Sequence, residues 1–400
     1  MAATSEANGG PQVFTATYHD TTDRRLARAG ISLRRRLENG VGMWEAMIGD
    51  AVVAAPGGPL DLPDELLRHL RAPLHGAQLE TVARLRNGSE DVALLEGQRV
   101  VETFPDLETA FRKTVVHQEG SKPAQRAPAL EHVRAYFRRQ VSEVERADPI
   151  VRIDPEAHEA LHDLRVAVRR MRAVLRATGE LFDVEWATSL WAELKWLGGE
   201  LAPSRDLDVL LEQLSGEGGD AAPIVRMLQS ERHRERKKLI KILEGERYLR
   251  LLDRLREAVE APPVRTVDLP LERVAAREFQ KLRGTMRGLG SRPTDRSLHR
   301  ARIRAKRARY AAELASPVVG KRAVRFIRAA KSFQDAVGAH QDAVVAEERI
   351  RGVATKTTAP TVSFAAGRLV EREQRRRREA RASVRPAWKR LRKRGRKAWG

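Results

Sequence analysis

The sequence predicts a multidomain chain. An all-α C-terminal domain of two pseudo-twofold-related helical bundles follows a small β-rich α+β domain. Three observations carry this. Short alternating segments end near residue 115, helical periodicity dominates after Pro128, and one basic helical motif occurs twice.

Residues 1–12 read as a disordered start and 13–115 as the β-rich domain. In that domain VFTATYHD, SLRRRLE and DVALLEG have strand character, and PDELLRHLRA reads as a short helix starting near Asp61 or Pro63. Residues 116–128 are polar and Pro-containing, a linker. From 129 to 400 long helical segments are expected, about ten in all by periodicity. The breaks are DPIVRIDPE, SGEGGDAAP, EAPPVRTVDLP and LGSRPTD, with no strand.

The repeat sets the internal organisation. HDLRVAVRRMRAVLRA starts at His162 and HRARIRAKRARYAAEL at His299. An offset of 137 aligns His162 with His299, Arg165 with Arg302, Arg169 with Lys306, and Arg172 with Arg309. Downstream, an offset of 136 aligns Lys195 with Lys331 and Asp206 with Asp342. The halves span about 129–262 and 268–400, too long for a solenoid unit. In each half LGGELAPSRD or DAVGAHQD reads as a small-residue turn between helices. Asp206 and Asp208, beside Arg205, then read as caps at a helix start, with Asp342, next to His340, as the counterpart.

At about 100° per residue, Arg165, Arg169 and Arg172 fall within an arc of about 80° that begins at His162. Leu161, Leu164, Val168, Met171 and Leu175 form an apolar stripe beside it. In the second repeat His299, Arg302, Lys306 and Arg309 take the same angles, next to Leu298, Ala301, Ala305, Ala308 and Ala312. A single such stripe is commonly a solvated face whose long stems cover apolar neighbours. Two at matched spacing, with Asp163 and little else acidic on the first helix and Glu313 at about 320° on the second, favour an anion bridging guanidiniums that otherwise repel. Arginine's planar fork suits phosphate oxygens. A divalent cation among these charges would be repelled, so no metal site and no cofactor is expected.

The bulk numbers agree with a polyanion partner. Net charge is +21 and pI about 10.9, with 42% hydrophobic, 32% charged and 5% aromatic residues. Between Arg368 and Lys397 lie 15 Lys/Arg against 3 Asp/Glu, so part of the excess is local. There Val384, Trp388 and Leu391 have the spacing of a docked amphipathic helix followed by a frayed basic end. Without cysteine, thiolate chemistry is excluded. No signal peptide or transmembrane run is visible, and a cytoplasmic location is the expectation.

HDLRVAVRRMRAVLR, LGGELAPSRDLDVLL, HRARIRAKRARYAAEL and KSFQDAVGAHQDAVV, in this order, resemble the CHAD domain. The resemblance runs from about Ala129 onward. It implies two four-helix bundles, a basic groove, binding of inorganic polyphosphate and association with polyphosphate granules. It points to His162, Arg165, Arg169, Arg172, Lys195, Arg205, His299, Arg302, Lys306, Arg309, Lys331 and His340 as phosphate contacts. The N-terminal region resembles a CYTH domain, a triphosphate tunnel, through Tyr18, Asp20, Thr21, Leu33, Arg34, Arg36 and Trp44. It departs from that family in lacking the opening acidic strand and in having Met47 where the family has a Lys. Glu102 and Glu108 also lack the alternating carboxylates that hold magnesium. A degenerate or truncated tunnel is expected, with Arg34 and Arg36 as secondary phosphate contacts or a solvated strand face. The functional expectation is a non-enzymatic polyphosphate binder. The alternatives are a CYTH-type triphosphate or polyphosphate hydrolase and a nucleic-acid binder reading no sequence.

Overall fold

The computed structural model describes residues 14–38, 40–59, 61–85, 92–96, 99–104, 123–216, 219–356 and 358–400. Residues 1–12, most of the expected linker, and Glu108 lie outside them. The chain divides into two compact units. One comprises residues 1–121, 141–164 and 243–252, the other 122–140, 165–242 and 253–400.

In the first unit a seven-stranded antiparallel sheet has the order β4-β3-β2-β1-β5-β6-β7. The strands are β1 (Phe14–Thr21), β2 (Ile31–Glu38), β3 (Val41–Ile48), β4 (Ala51–Pro56), β5 (Leu79–Leu85), β6 (Val92–Glu96) and β7 (Arg99–Phe104). Helices α1 (Arg25–Arg28) and α2 (Asp64–Leu74) belong with it. Alternation along β3 turns Trp44, Ala46 and Ile48 inward against Leu26, Leu33, Leu66 and Leu70, and leaves Met47 exposed. Asp20 fixes the β1–α1 corner: its buried carboxylate accepts the backbone N–H groups of Thr21, Leu26 and Ala27. This antiparallel domain fits a CYTH-like region.

The rest is helical: α3 (Ala129–Ile153), α4 (His158–Ala177), α5 (Val184–Gln213), α6 (Ala222–Glu244), α7 (Glu246–Glu260), α8 (Leu271–Arg287), α9 (Asp295–Val319), α10 (Lys321–Ala354) and α11 (Pro360–Trp399). In the second unit α8, α9, α10 and α11 pack in a closed ring: α8 on α9, α9 on α10, α10 on α11, and α11 on α8. Leu207, Leu210, Ile224, Ile350, Val362 and Leu369 join α5, α6, α10 and α11 in a common core.

Four expectations are corrected. DPIVRI is not a break, because α3 runs through Pro149 to Ile153. Burial of Val151 and the packing of Ile150 and Ile153 on the first unit's core hold that turn. LGGELAPSRD is not a turn but the middle of α5, and DAVGAHQD lies inside α10. Two glycines and Pro203 cost a helix about 1 and 3 kcal/mol each. Leu197, Leu201 and Leu207, at most 1% exposed, outweigh them. Asp206, Asp208 and Asp342 are therefore interior helix residues, not caps. Nor is the basic end frayed: α11 stays helical to Trp399, with Leu391, Gly395 and Ala398 buried and Trp399 edge-on to Phe326.

Gly395 is where α11 crosses α8. A Cβ there would lie within the ring of fully buried Phe279, itself locked edge-on against Phe326. In an exposed helix Gly→Ala gains up to about 1 kcal/mol. Here overpacking by about 1–3 kcal/mol reverses the sign. Gly395→Ala is expected to lower the thermal unfolding midpoint of the chain.

Candidate functional site

The second unit brings the two stripes together. The apolar seams are as expected: Leu161, Leu164, Val168, Met171 and Leu175 on α4, and Leu298, Ala301, Ala305, Ala308 and Ala312 on α9, are at most 1% exposed. Burial of each seam fixes its helix phase and leaves the adjacent cations half-buried. Arg165, Arg169 and Arg172 on α4 and Arg302 and Lys306 on α9 then act on one another. Burial, then Arg169, Arg302 and Arg165, pull the Lys306 ammonium down to about 6. Burial, then Arg169 and Arg165, lower the Arg302 guanidinium against the opposing pull of Asp342. Burial, then Arg169, Arg165 and Arg176, do the same to Arg172.

The acids come from α5 and α10, which the single-helix reading did not foresee. Arg165 Nη1 is 2.7 Å from Asp206 Oδ1, and Arg302 Nη2 is 3.8 Å from Asp342 Oδ1. These pairs are equivalent under the repeat. Asp342 is pushed up by burial and by neighbouring Asp206, so the two pairs lie close together. Asp163 is engaged by Arg146, and buried Asp208 sits 3.6 Å from Arg236.

Further along, Tyr310 and Glu313 tie the helices together. Arg169 Nε donates to Tyr310 Oη at 2.9 Å. Arg170 and Arg309 approach Glu313 at 3.6 and 3.5 Å, and Arg309 lies over the Tyr310 ring. Arg309 is thus held by its own helix, while Lys306 and Arg172 have no carboxylate within ion-pair distance among the described residues.

The other expected residues fall less centrally. His162 and His299 are exposed, His299 Nδ1 lying 3.1 Å from Gln341 Oε1. Arg205 is half-buried on α5. Lys195 and Lys331 are exposed, Lys195 over the Trp191 ring, and neither is among the charges acting on Lys306. His340 is corrected. It is fully buried, 3.3 Å from Asp295, and burial lowers its pKa, so it faces the helix packing and no ligand. In the first unit Arg34 and Arg36 share Glu45, at 2.6 and 3.7 Å, across the β2–β3 register. Among the described residues no three His, Asp or Glu side chains form a metal-holding group. Nor is any described helix long and apolar enough to cross a membrane.

Four cations escape the sequence reading: Arg176, Arg300, Arg304 and Arg307. Arg176, at about 320° on the same wheel, lies inside the α4 stripe and was legible there. Arg304 and Arg307 lie on another face of α9. With Arg300 they line a groove of about 480 Å³ along Gly284 and Thr285 of α8 and Gly288 just after it. Burial, then Arg176 and Arg304, lower Arg307, which also feels Arg172. The basic file therefore continues from Arg165 through Arg172 and Arg176 to Arg307.

Lys306 gives this electrostatic picture a direct check. Competitive acetylation of the ligand-free protein, read by peptide mass spectrometry against pH, is expected to show Lys306 titrating near 6. A Lys306 midpoint above about 9 would contradict the convergence of stripes.

Residues 135–351 match the CHAD domain family. Two uncharacterized proteins of Mycobacterium tuberculosis, from strains CDC 1551 / Oshkosh and ATCC 25618 / H37Rv, are 31% identical over 277 residues. That alignment takes in 64% of this chain and 52% of each relative. The chain thus spans about half the length of these curated relatives. Among solved structures, PptA from Streptomyces chartreusis aligns with TM-score 0.55 at 24% identity, over 66% of this chain and all of that one. The CHAD domain from the plant Ricinus communis aligns with TM-score 0.55 at 24% identity, over 67% and 93%. These likenesses show the same helical fold, and with the match over more than half of its length the chain belongs to the CHAD domain family.

Proposed function

We propose that this chain binds inorganic polyphosphate, with phosphate oxygens along Arg165, Arg169, Arg172, Arg302 and Lys306. His162, His299, Arg309, Arg205, Lys195 and Lys331 extend the contact at its margins. The observation carrying this reading is the convergence of Arg165, Arg169 and Arg302 on Lys306, whose ammonium is pulled down to about 6 by burial and by those guanidiniums. Left alone, such a cluster is strained by like charge. A chain of phosphates supplies the missing negative charge along the whole file, and arginine forks match its oxygens. Association with polyphosphate granules follows from the same reading. So does a binding role without catalysis, which magnesium- or manganese-dependent phosphate release from polyphosphate by the purified chain would replace.

Charge reversal tests the site. Arg169→Glu and Lys306→Glu are each expected to weaken long-chain polyphosphate binding by roughly tenfold or more, the scale of one hydrogen bond to a charged group. Unchanged affinity in calorimetry, with a normal melting curve, would return the stripe to a purely structural role.

The pH dependence follows with its sign. Free Lys306 is mostly neutral at pH 7, and a bound polyanion raises its pKa, so binding takes up a proton. Affinity should rise by up to about tenfold per pH unit as pH falls from about 8 toward 6, then level off. Lys306→Arg, which stays charged, should remove that component. Calorimetry in buffers of different ionisation enthalpy reads the proton uptake.

A further inference from the structure

The two halves of α11 treat their charge differently. Upstream, four of the six cations are matched: Arg372 and Arg376 pair with buried Glu373, Arg377 with Asp295 and Glu347, and Arg378 with Glu371. From Ala380 to Gly400 there are nine Lys/Arg and no Asp or Glu. Lys389, Arg390, Arg392, Lys393, Arg394, Arg396 and Lys397 are all exposed, and none pairs with a carboxylate among the described residues.

This segment is docked along one face. With Leu391 at zero, the buried Leu391, Gly395, Ala398 and Trp399 occupy an arc from about 340° to 80°. The seven cations fill the remainder, from about 100° to 300°. Phe279 and Phe326 hold the buried arc. The Phe326–Trp399 contact also brings the first turns of α10 alongside, where Lys321, Arg322 and Arg325 are exposed.

We propose that this face of α11 binds the phosphodiester backbone of duplex nucleic acid, as a second polyanion site separate from the α4–α9 stripes. Shape favours a duplex. The cations radiate from a convex helical rod about 10–12 Å across, which the duplex major groove, about 12 Å wide, admits. The half-buried stripe residues on α4 and α9 suit a thin flexible chain instead. A membrane surface fits less well, because an interfacial helix needs apolar side chains among its exposed residues, and α11 turns Leu391, Ala398 and Trp399 inward. Between Lys389 and Lys397 there is no Asn, Gln or aromatic residue. The contacts are therefore chiefly to phosphates, and guanine edges are the base groups that Arg and Lys can reach in the groove.

The test is a double dissociation in the full chain, read by fluorescence anisotropy at about 0.15 M salt. The probes are a labelled 20-base-pair duplex and long-chain polyphosphate. The triple variant Lys393→Glu/Arg396→Glu/Lys397→Glu should lose at least about thirtyfold in duplex affinity. Its slope of log affinity against log salt should become shallower by roughly 2 to 3. Its polyphosphate affinity should stay within about threefold of the parent. Arg169→Glu/Lys306→Glu should show the reverse pattern. The neutral triple Lys393→Gln/Arg396→Gln/Lys397→Gln reads the same way should the reversal unfold the chain, which melting curves report. Duplex binding indifferent to both triple variants overturns the proposal, and so do equal losses of both probes in every variant. Phosphatidylserine vesicles serve as a third probe, and a loss by the triple variants confined to those vesicles overturns the proposal in favour of a membrane. A failure of polyphosphate binding alone leaves the duplex arm intact, so the two readings fail separately.

Discussion

Two rows of like charge are packed against each other here, and the rest of the helical domain is arranged around that constraint. Arg169 of α4 and Lys306 of α9 occupy equivalent places in the repeat and meet in the same field. Repulsion between them is tolerated because each row is anchored by an adjacent seam with almost no exposed surface. Burying each leucine, valine or methionine of the α4 seam contributes on the order of 1.5–3 kcal/mol, and the alanines of the α9 seam let the helices pack closely. That is enough to hold a lysine well below its ordinary pKa.

Acidic residues moderate the clash at chosen points. Asp206 and Asp342 each take one arginine, so the repeat is visible in the electrostatics as well as in the helices. Tyr310 and Glu313 do a different task in one half only, gathering Arg169, Arg170 and Arg309. The symmetry is therefore approximate where the partners differ: Arg172 is left among cations, while its counterpart Arg309 has Glu313.

Much of this was legible in the sequence, because helical phase is a local property. The seams, both stripes and the aligned Asp206 and Asp342 follow from spacing alone. What was misread depends on tertiary burial. Gly198, Gly199 and Pro203 look like a turn until Leu197 and Leu201 are seen to lie in a core. The same blindness made caps of Asp206 and Asp208 and put His340 among the ligands. Neutralisation of a stripe by acids on another helix leaves no trace in one helix's pattern. Arg304 and Arg307 escaped because they belong to a second face of α9, whereas Arg176 stood on the wheel already drawn. In the β-rich domain the pairing of Arg34 with Glu45 depends on strand register, which alternation alone does not fix.

Gly395 has a wider effect than its local fit. Because the ring of Phe279 occupies the space where a side chain would be, α11 can dock in one rotational setting, as a shaft seats on a key. Turning the helix by one residue, about 100°, would drive Arg394 or Arg396 into the aromatic contact and swing apolar surface outward. Gly395 thus joins buried Val362, Leu369, Val384 and Leu391 in deciding which side of a forty-residue helix the solvent sees, and with it where the positive field of that helix points.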